Sequence, residues 1–368
     1  MEGLVKTMRP SENLRSFWSG KRVLLTGHTG FKGSWAAAWL IKMGAEVHGF
    51  ALAPETDPNL HDLLDLDYAS EMIADLRDRA DIQKMVQKVQ PDLVLHMAAQ
   101  PLVRRGYREP VETMATNIMG TAHLLDALRD CESVKGILVV TSDKAYDNDS
   151  YDQAHGEIIF REGDALGGRD PYSASKGCQE IVARSFEQSY FRAKGIPLVT
   201  ARAGNVVGGG DWSEDRLMTD IIRAAANNKA VELRNPGTTR PWQHVIEPVA
   251  GYLMYLQAVV EKTASVSALN FGPKDSHTVA HVTDLVLNAW GCIAGTTQQD
   301  VSAASKEALT LALDSSLATT TLAWQPRLTL PECVNWIVEW HKAHLAGQNM
   351  RDLTETQISS FEAMMDKE

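Results

Sequence analysis

The chain has 368 residues, 44% of them hydrophobic and 23% charged, which are ordinary values for a globular protein with enough length for two lobes. Its net charge of −11, from 36 basic and 47 acidic residues, argues against a nucleic-acid or anionic-membrane surface and leaves room only for a local basic pocket. The four cysteines are scattered without a CxxC pair and the eleven histidines form no HExxH cluster, so reduced thiols, a cytoplasmic setting and no bound metal are expected.

Residues 1–20 carry Glu2, Pro10 and Glu12 and no apolar run, so they read as an N-terminal extension rather than a signal peptide. No apolar stretch reaches the roughly eighteen residues that a membrane span needs. Lys21-Arg-Val-Leu-Leu-Thr26 is a short apolar run ending on glycine, the pattern of a buried parallel strand. A helix is predicted over 34–43, a strand over 45–50, a helix near 80–89 and a strand over 93–96. A long helix over 113–130 follows, then a strand over 137–141, a helix over 172–194 and a strand over 198–201. Such alternation predicts an α/β fold, a doubly wound parallel sheet of Rossmann type with helices on both faces. Past residue 204 the rhythm breaks down: 208–210 is a glycine loop, 214–228 is helical and 234–241 is rich in turns. The division expected is therefore a main sheet domain over 21–204, a smaller lobe mainly over 205–345 with segments returning to the main domain, and a polar tail over 346–368.

Gly27-His-Thr-Gly-Phe-Lys-Gly33 follows the first strand and opens the first helix. Glycines 27, 30 and 33 allow a tight turn, close backbone approach to a pyrophosphate and close helix packing, and the helix N-terminus offers amides to the phosphates. Gly27, Thr29, Gly30, Phe31, Lys32 and Gly33 are accordingly candidate dinucleotide contacts. The GxxGxxG spacing is that of short-chain dehydrogenases rather than the GxGxxG form. His48-Gly-Phe-Ala51 supplies no carboxylate for a ribose hydroxyl at the end of the second strand. Asp75 and Leu76 are placed to meet an adenine instead, with a simple turn aspartate as the alternative for Asp75. Lys32 leaves NAD and NADP both open on the residues alone. Ala98 and Ala99 are small where a strand end must let the cofactor pass.

Tyr172-Ser-Ala-Ser-Lys176 puts a phenol and an ammonium four residues apart on one helix face. A lysine cation together with the nicotinamide charge is expected to lower the phenol from its ordinary value of about 10, making Tyr172 a base for an alcohol that loses hydride. Thr141-Ser-Asp-Lys144 ends the preceding strand at the sheet's carboxyl edge. Ser142 completes a serine–tyrosine–lysine trio. Asp143 and Lys144 exceed what a simple oxidation needs and point to acid–base work at a second substrate position; a strand-end cap with an exposed ion pair is the structural alternative.

These motifs resemble the CDP-glucose 4,6-dehydratases, members of the extended short-chain dehydrogenase/reductase family, over most of residues 21–345. The likeness rests on the glycine turn through Trp35 and on His96-Met-Ala-Ala-Gln-Pro-Leu-Val-Arg104, Thr141-Ser-Asp-Lys144 and Asp170-Pro-Tyr-Ser-Ala-Ser-Lys-Gly-Cys178. It extends through Arg202-Ala-Gly-Asn-Val-Val-Gly-Gly-Gly-Asp-Trp212 and Arg240-Pro-Trp-Gln-His-Val245. The dTDP-glucose enzymes carry Asp-Glu where this chain has Asp143-Lys144. The family usually follows with Cys-Tyr, and here Ala145 replaces the cysteine.

The resemblance implies NAD as cofactor and a reaction in three stages. Tyr172 deprotonates the glucose 4-hydroxyl as NAD+ takes the C4 hydride; Lys144, or a group it organises, removes the C5 proton while Asp143 protonates the departing 6-hydroxyl; hydride then returns to C6 and C5 is reprotonated. CDP-glucose is the implied small-molecule substrate, with Gln100, Arg104, Asn117, Asn205, Asp211, Arg216, Arg234, Arg240 and Trp242 at family positions near sugar and pyrophosphate. Arginine suits phosphate through its bidentate fork, although salt bridges holding loops together would use the same residues. Arg202 sits in the same motif with loop-holding as its alternative role, and Trp35 and Trp39 read as core. A homo-oligomer, dimer or tetramer, is expected. A 4-epimerase or a dehydratase for another nucleotide is the nearest rival, and an epimerase has no need of Asp143 and Lys144. An idle NAD-sensing regulator on the same fold could dispense with Tyr172 and Lys176, which are both present.

Overall fold

Apolar runs too short for helices become the strands of one parallel sheet. The computed structural model describes residues 8–148, 158–298 and 312–367. The sheet contains β1 (Arg22–Thr26), β2 (Glu46–Ala51), β3 (Ser70–Ile73), β4 (Leu93–His96), β5 (Gly136–Val140), β6 (Leu198–Ala203) and β7 (Ala268–Phe271). The spatial order is β7-β6-β5-β4-β1-β2-β3, with every neighbouring pair parallel. The order reverses between β1 and β4, and in such sheets ligands bind in the crevice beyond the strand carboxyl ends at that point. The predicted α/β doubly wound class is what the chain adopts.

Helices cover both faces: α1 (Pro10–Trp18), α2 (Phe31–Lys42), α3 (Arg79–Val89), α4 (Gly120–Leu128), α5 (Pro171–Phe186), α6 (Leu217–Ala226), α7 (Ile246–Val260), α8 (Val279–Trp290), α9 (Leu330–Leu345) and α10 (Met350–Met365). Strand side chains alternate between the two layers. Val23 and Leu25 of β1 pack with Trp35, Trp39 and Tyr252 on one side, while Leu24 packs with Ile82, Val86 and Leu125 on the other. A third cluster, with Ile221, Trp242, Val286 and Ile337, draws α6, α8 and α9 together apart from the sheet. Among the described residues no helix is long and apolar enough to cross a membrane.

Both end segments contribute helices to the core, and two predicted helix extents needed correction. The N-terminal extension contains α1, whose Leu14 and Trp18 are buried against the main core, and the polar tail forms α10, where Glu362 accepts from Trp39 Nε1 (2.9 Å) and Lys42 Nζ (2.6 Å). The long helix of 113–130 is three segments, Pro110–Met114, a π turn at Ala115–Met119 and α4. The helix predicted to run to 194 leaves α-geometry after Phe186 through a π turn at Glu187–Phe191. It closes on Gly195 in the left-handed region (φ 68°).

Candidate active site

The glycine turn leaves β1 at Thr26, whose hydroxyl accepts from the backbone N–H groups of Met97 and Ala98 (3.1 Å each) and so ties it to the end of β4. Gly27 sits at φ 77°, and a Cβ there would come within 2.7 Å of the Ala98 backbone. A Cβ on Gly33 would collide with the Gly27 carbonyl, so α2 can pack this close only without a side chain. Gly30 caps α2, Thr29 Oγ1 donates to Leu52 O (2.8 Å), and the first-turn amides of Phe31, Lys32 and Gly33 point out of the helix end. That donor set fits a dinucleotide pyrophosphate.

The catalytic candidates converge at the ends of β5 and the start of α5. Ser142 caps the short turn Asp143–Ala145; its Oγ donates to Asp143 Oδ1 (2.9 Å) and accepts from Lys144 N (3.2 Å). Asp143 is buried and pressed against Gly204, where any Cβ would overlap its carboxylate. Asp170 caps α5 by accepting from Ser173 N (3.0 Å), with Pro171 at the first helical position, which presents Tyr172 and Lys176 along one face. Lys176 Nζ donates to Val140 O (3.2 Å) and Gln179 Oε1 (2.8 Å).

Charge couples these groups. Burial raises Asp143, against the opposing pull of Lys144, Ser142 and Arg240. Burial lowers Lys176 to about 7, helped by the Lys32 cation and resisted by Glu180. Desolvation lowers Lys32 to about 8, with Arg216 adding repulsion and Asp143 opposing. Tyr172 departs from expectation. Burial raises its phenol above the ordinary value, while the pull downward comes from Ser142 and Arg216 rather than Lys176. A half-neutral Lys176 in a dry site is a weak stabiliser of phenolate, so desolvation decides the sign. The structure thus brings Lys32, Ser142, Asp143, Lys144, Tyr172, Lys176, Arg216 and Arg240 into one electrostatic neighbourhood.

The other candidates occupy different surroundings. Gln100 and Asn117 are buried and bind each other: Gln100 N donates to Asn117 Oδ1 (2.8 Å), and Asn117 Nδ2 donates to Gln100 O (3.1 Å) and Ser175 Oγ (2.8 Å). Their amides brace the π turn against α5. Arg104 pairs with Asp215 (2.7 Å) and Asp75 with Arg77 (2.9 Å to Nε), the latter lining a shallow cavity with Asp78, Arg79 and Ala80. Leu76 is buried against Gly120, and Ala99 is half-buried beside Ala98. Asn205 adopts φ 48° and accepts from Gln243 N (3.3 Å), while Asp211 accepts from Ser213 N (3.0 Å). Arg234 lies exposed after the strand Val231–Leu233, and Trp242 packs in the lobe's core with its Nε1 donating to His277 O (3.2 Å). Arg202 forms a buried pair with Glu180 (2.8 Å).

Two arrangements escaped the sequence reading. Glu180 also accepts from Thr141 Oγ1 (2.5 Å) and Thr200 Oγ1 (2.6 Å), binding β5, β6 and α5 beneath the site. Its position four residues beyond Lys176 on the same helix was the available signal. The second is a histidine–glutamate cluster, His28, His61 and Glu71, which the expectation of no metal-ligand grouping overlooked because only folding brings it together.

A family model described as GDP-mannose 4,6 dehydratase matches residues 24–337. The chain is 44% identical to a CDP-glucose 4,6-dehydratase of Salmonella typhimurium, over 94% of this chain and 98% of the relative. Its fold superposes on a UDP-glucose 4-epimerase of Thermotoga maritima solved with UDP-glucose, with a TM-score of 0.76 at 21% identity, covering 88% of this chain and 99% of the other. It likewise matches a dTDP-glucose 4,6-dehydratase of Bacillus anthracis in complex with NAD, with a TM-score of 0.71 at 18% identity, covering 91% and 100%. The extent of the family match and the near full-length identity lead to one conclusion: the chain belongs to the GDP-mannose 4,6-dehydratase family of sugar-nucleotide enzymes.

Proposed function

We propose that this chain is an NAD-dependent CDP-glucose 4,6-dehydratase, a lyase that turns CDP-D-glucose into CDP-4-keto-6-deoxy-D-glucose and water. One observation carries the reading. Asp143 and Lys144 stand at the end of β5 in the same buried field as Tyr172, in a chain 44% identical to a CDP-glucose 4,6-dehydratase.

The turn from Gly27 to Gly33, with Asp75, Leu76, Ala98, Ala99, Tyr172 and Lys176, would hold NAD, which when bound would supply hydride acceptance at C4 and hydride return at C6. Tyr172, poised by Ser142, takes the 4-hydroxyl proton. The resulting ketone acidifies C5, and Lys144 removes that proton and gives it back to C5 once C6 has regained hydride. Asp143 is suited to be the acid because burial keeps its carboxyl protonated to higher pH than an exposed aspartate, and its proton leaves with the 6-hydroxyl as water. Arg216 and Arg240 supply positive charge for the pyrophosphate, with the substrate lobe drawn mainly from 205–345, some segments of which return to the domain of 21–204. A cytoplasmic homo-oligomer is part of the same reading. Exposed Met119 and Ile181, on segments packed against each other, provide apolar surface for a second copy.

The test is to incubate the purified protein with CDP-glucose and NAD and to follow the alkaline absorbance of a 4-keto product. Formation of a C4-epimerised sugar with no keto product would replace the reading by an epimerase.

A further inference from the structure

On the β2–β3 side of the sheet, with β1 and β4 separating it from β5, three potential metal ligands meet behind the glycine turn. His28 Nε2 lies 2.9 Å and His61 Nε2 2.8 Å from the same Glu71 oxygen, and the three ligand atoms all fall within 4.8 Å of one another. The pocket is shaped for them. β2 carries Gly49 opposite His28, where a Cβ would come within 2.5 Å of the imidazole. Tyr68 stacks on His61 (5.7 Å between centroids) and meets His28 edge-on (5.2 Å). His28 is fully buried, whereas His61 and Glu71 retain partial exposure and leave a way in from solvent.

The outer contacts also suit a ligand. His61 Nδ1 faces Asp62 Oδ1 (3.0 Å), and Asp62 is itself held by Asn59, whose Nδ2 donates to its other oxygen (2.7 Å). A carboxylate behind a histidine fixes the tautomer that presents Nε2 to a metal. His28 Nδ1 is buried without a hydrogen-bond partner while the Phe50 carbonyl bears on the ring, so a proton moved there from Nε2 would be accommodated. We propose that His28, His61 and Glu71 bind a Zn2+ ion that cross-links the glycine turn, the helix Leu60–Leu64 and β3. Two imidazoles and a carboxylate are a zinc ligand set, and three protein ligands leave a fourth position for water. On binding, His28 shifts its Nε2 proton to Nδ1 and His61 releases its own to solvent while keeping Nδ1–H on Asp62.

The experiment uses the full-length protein stripped with a chelator and titrated calorimetrically with ZnCl2, with thermal unfolding measured in the presence and absence of the ion. One ion per chain and a zinc-dependent rise in Tm are expected of the wild type. His61→Ala and Glu71→Gln should lose both, and Asp62→Asn, altered at an exposed residue, should bind about tenfold more weakly or worse. Substituted Co2+ should give the intense visible bands of a four-coordinate ion, lost in the same variants. Absence of a bound ion in the wild type overturns the proposal. So does unchanged affinity in folded His61→Ala and Glu71→Gln proteins.

Discussion

Glu247 lies in the first turn of α7, just past the Arg240-Pro-Trp-Gln-His-Val245 segment, and is almost wholly buried. Its Oε1 accepts from the backbone N–H groups of Arg327 (2.8 Å) and Leu328 (2.7 Å), while Oε2 is buried without a partner. Desolvation therefore outweighs those two hydrogen bonds and pushes the carboxyl from 4.5 up to about 7. The folded protein holds this proton more tightly than the unfolded chain does. Its contribution to stability is complete below the ordinary carboxyl range and disappears as pH rises through about 7. The shift from 4.5 to about 7 corresponds to about 3 kcal/mol. Glu247→Gln keeps the acceptor for Arg327 and Leu328 but places an amide N–H2 where Oε2 has no partner. The variant should therefore carry a pH-independent penalty of about 1–3 kcal/mol. Urea unfolding of both proteins at pH values from 5 to 8 separates the two effects, because every other titrating group cancels in the difference. The variant should gain on the wild type by about 2.5 kcal/mol across that span, because part of the full shift is already spent at pH 5. Parallel curves would refute the reasoning, since they would mean that Glu247 is ionised at equal cost in both states.

Tyr172→Phe should reduce kcat by about 10²-fold or more with circular dichroism unchanged, because it removes the positioned base and only one hydrogen bond to Ser142; near-normal turnover would remove Tyr172 from the mechanism. Asp143→Asn should still oxidise C4, so reduced nicotinamide should build up in single-turnover spectra; a folded variant showing none would mean that the acid role is misplaced. With one enzyme preparation, kcat/KM for CDP-glucose should exceed those for dTDP- and UDP-glucose by about tenfold, the cost of leaving one base-pairing group unpaired in a buried pocket. Equal or reversed ranking would keep the dehydratase chemistry and remove the CDP assignment.

Strands buried on both faces were the most legible part of the fold. β1, β4 and β5 are continuous apolar runs because helices cover both sides of them. β3 was missed because Ser70–Ile73 is a polar edge strand that pairs only with β2. β7 escaped for a different reason: Ala268–Phe271 returns to the sheet from within the stretch that broke the βα rhythm. α7 is apolar on nearly every side and shows no amphipathic stripe for periodicity to detect. The π turn at Ala115–Met119 has no local signal either, as it accompanies the tertiary contacts of Asn117 with Gln100 and Ser175.

The site divides along the same line. Chemistry that needs groups at a fixed distance along one element was readable: glycines spaced through a strand–turn–helix, a phenol and an amine one helical turn apart, a hydroxyl and a carboxylate at a strand end. Groups joined only by folding were not. His28 and Glu71 are 43 positions apart, so no spacing rule could have coupled them. The same limit explains the error over Tyr172. Sequence spacing supplied an amine one helical turn away, but the sign of the phenol's displacement depends on how much water the fold leaves around it. Burial raises the Tyr172 phenol and lowers the Lys176 ammonium to about 7, so desolvation moves each group towards its neutral form. Acid–base readiness in this site is thus a property of the buried cluster as a whole, and a positive charge entering beside Tyr172 would act on the phenol more strongly there than in water.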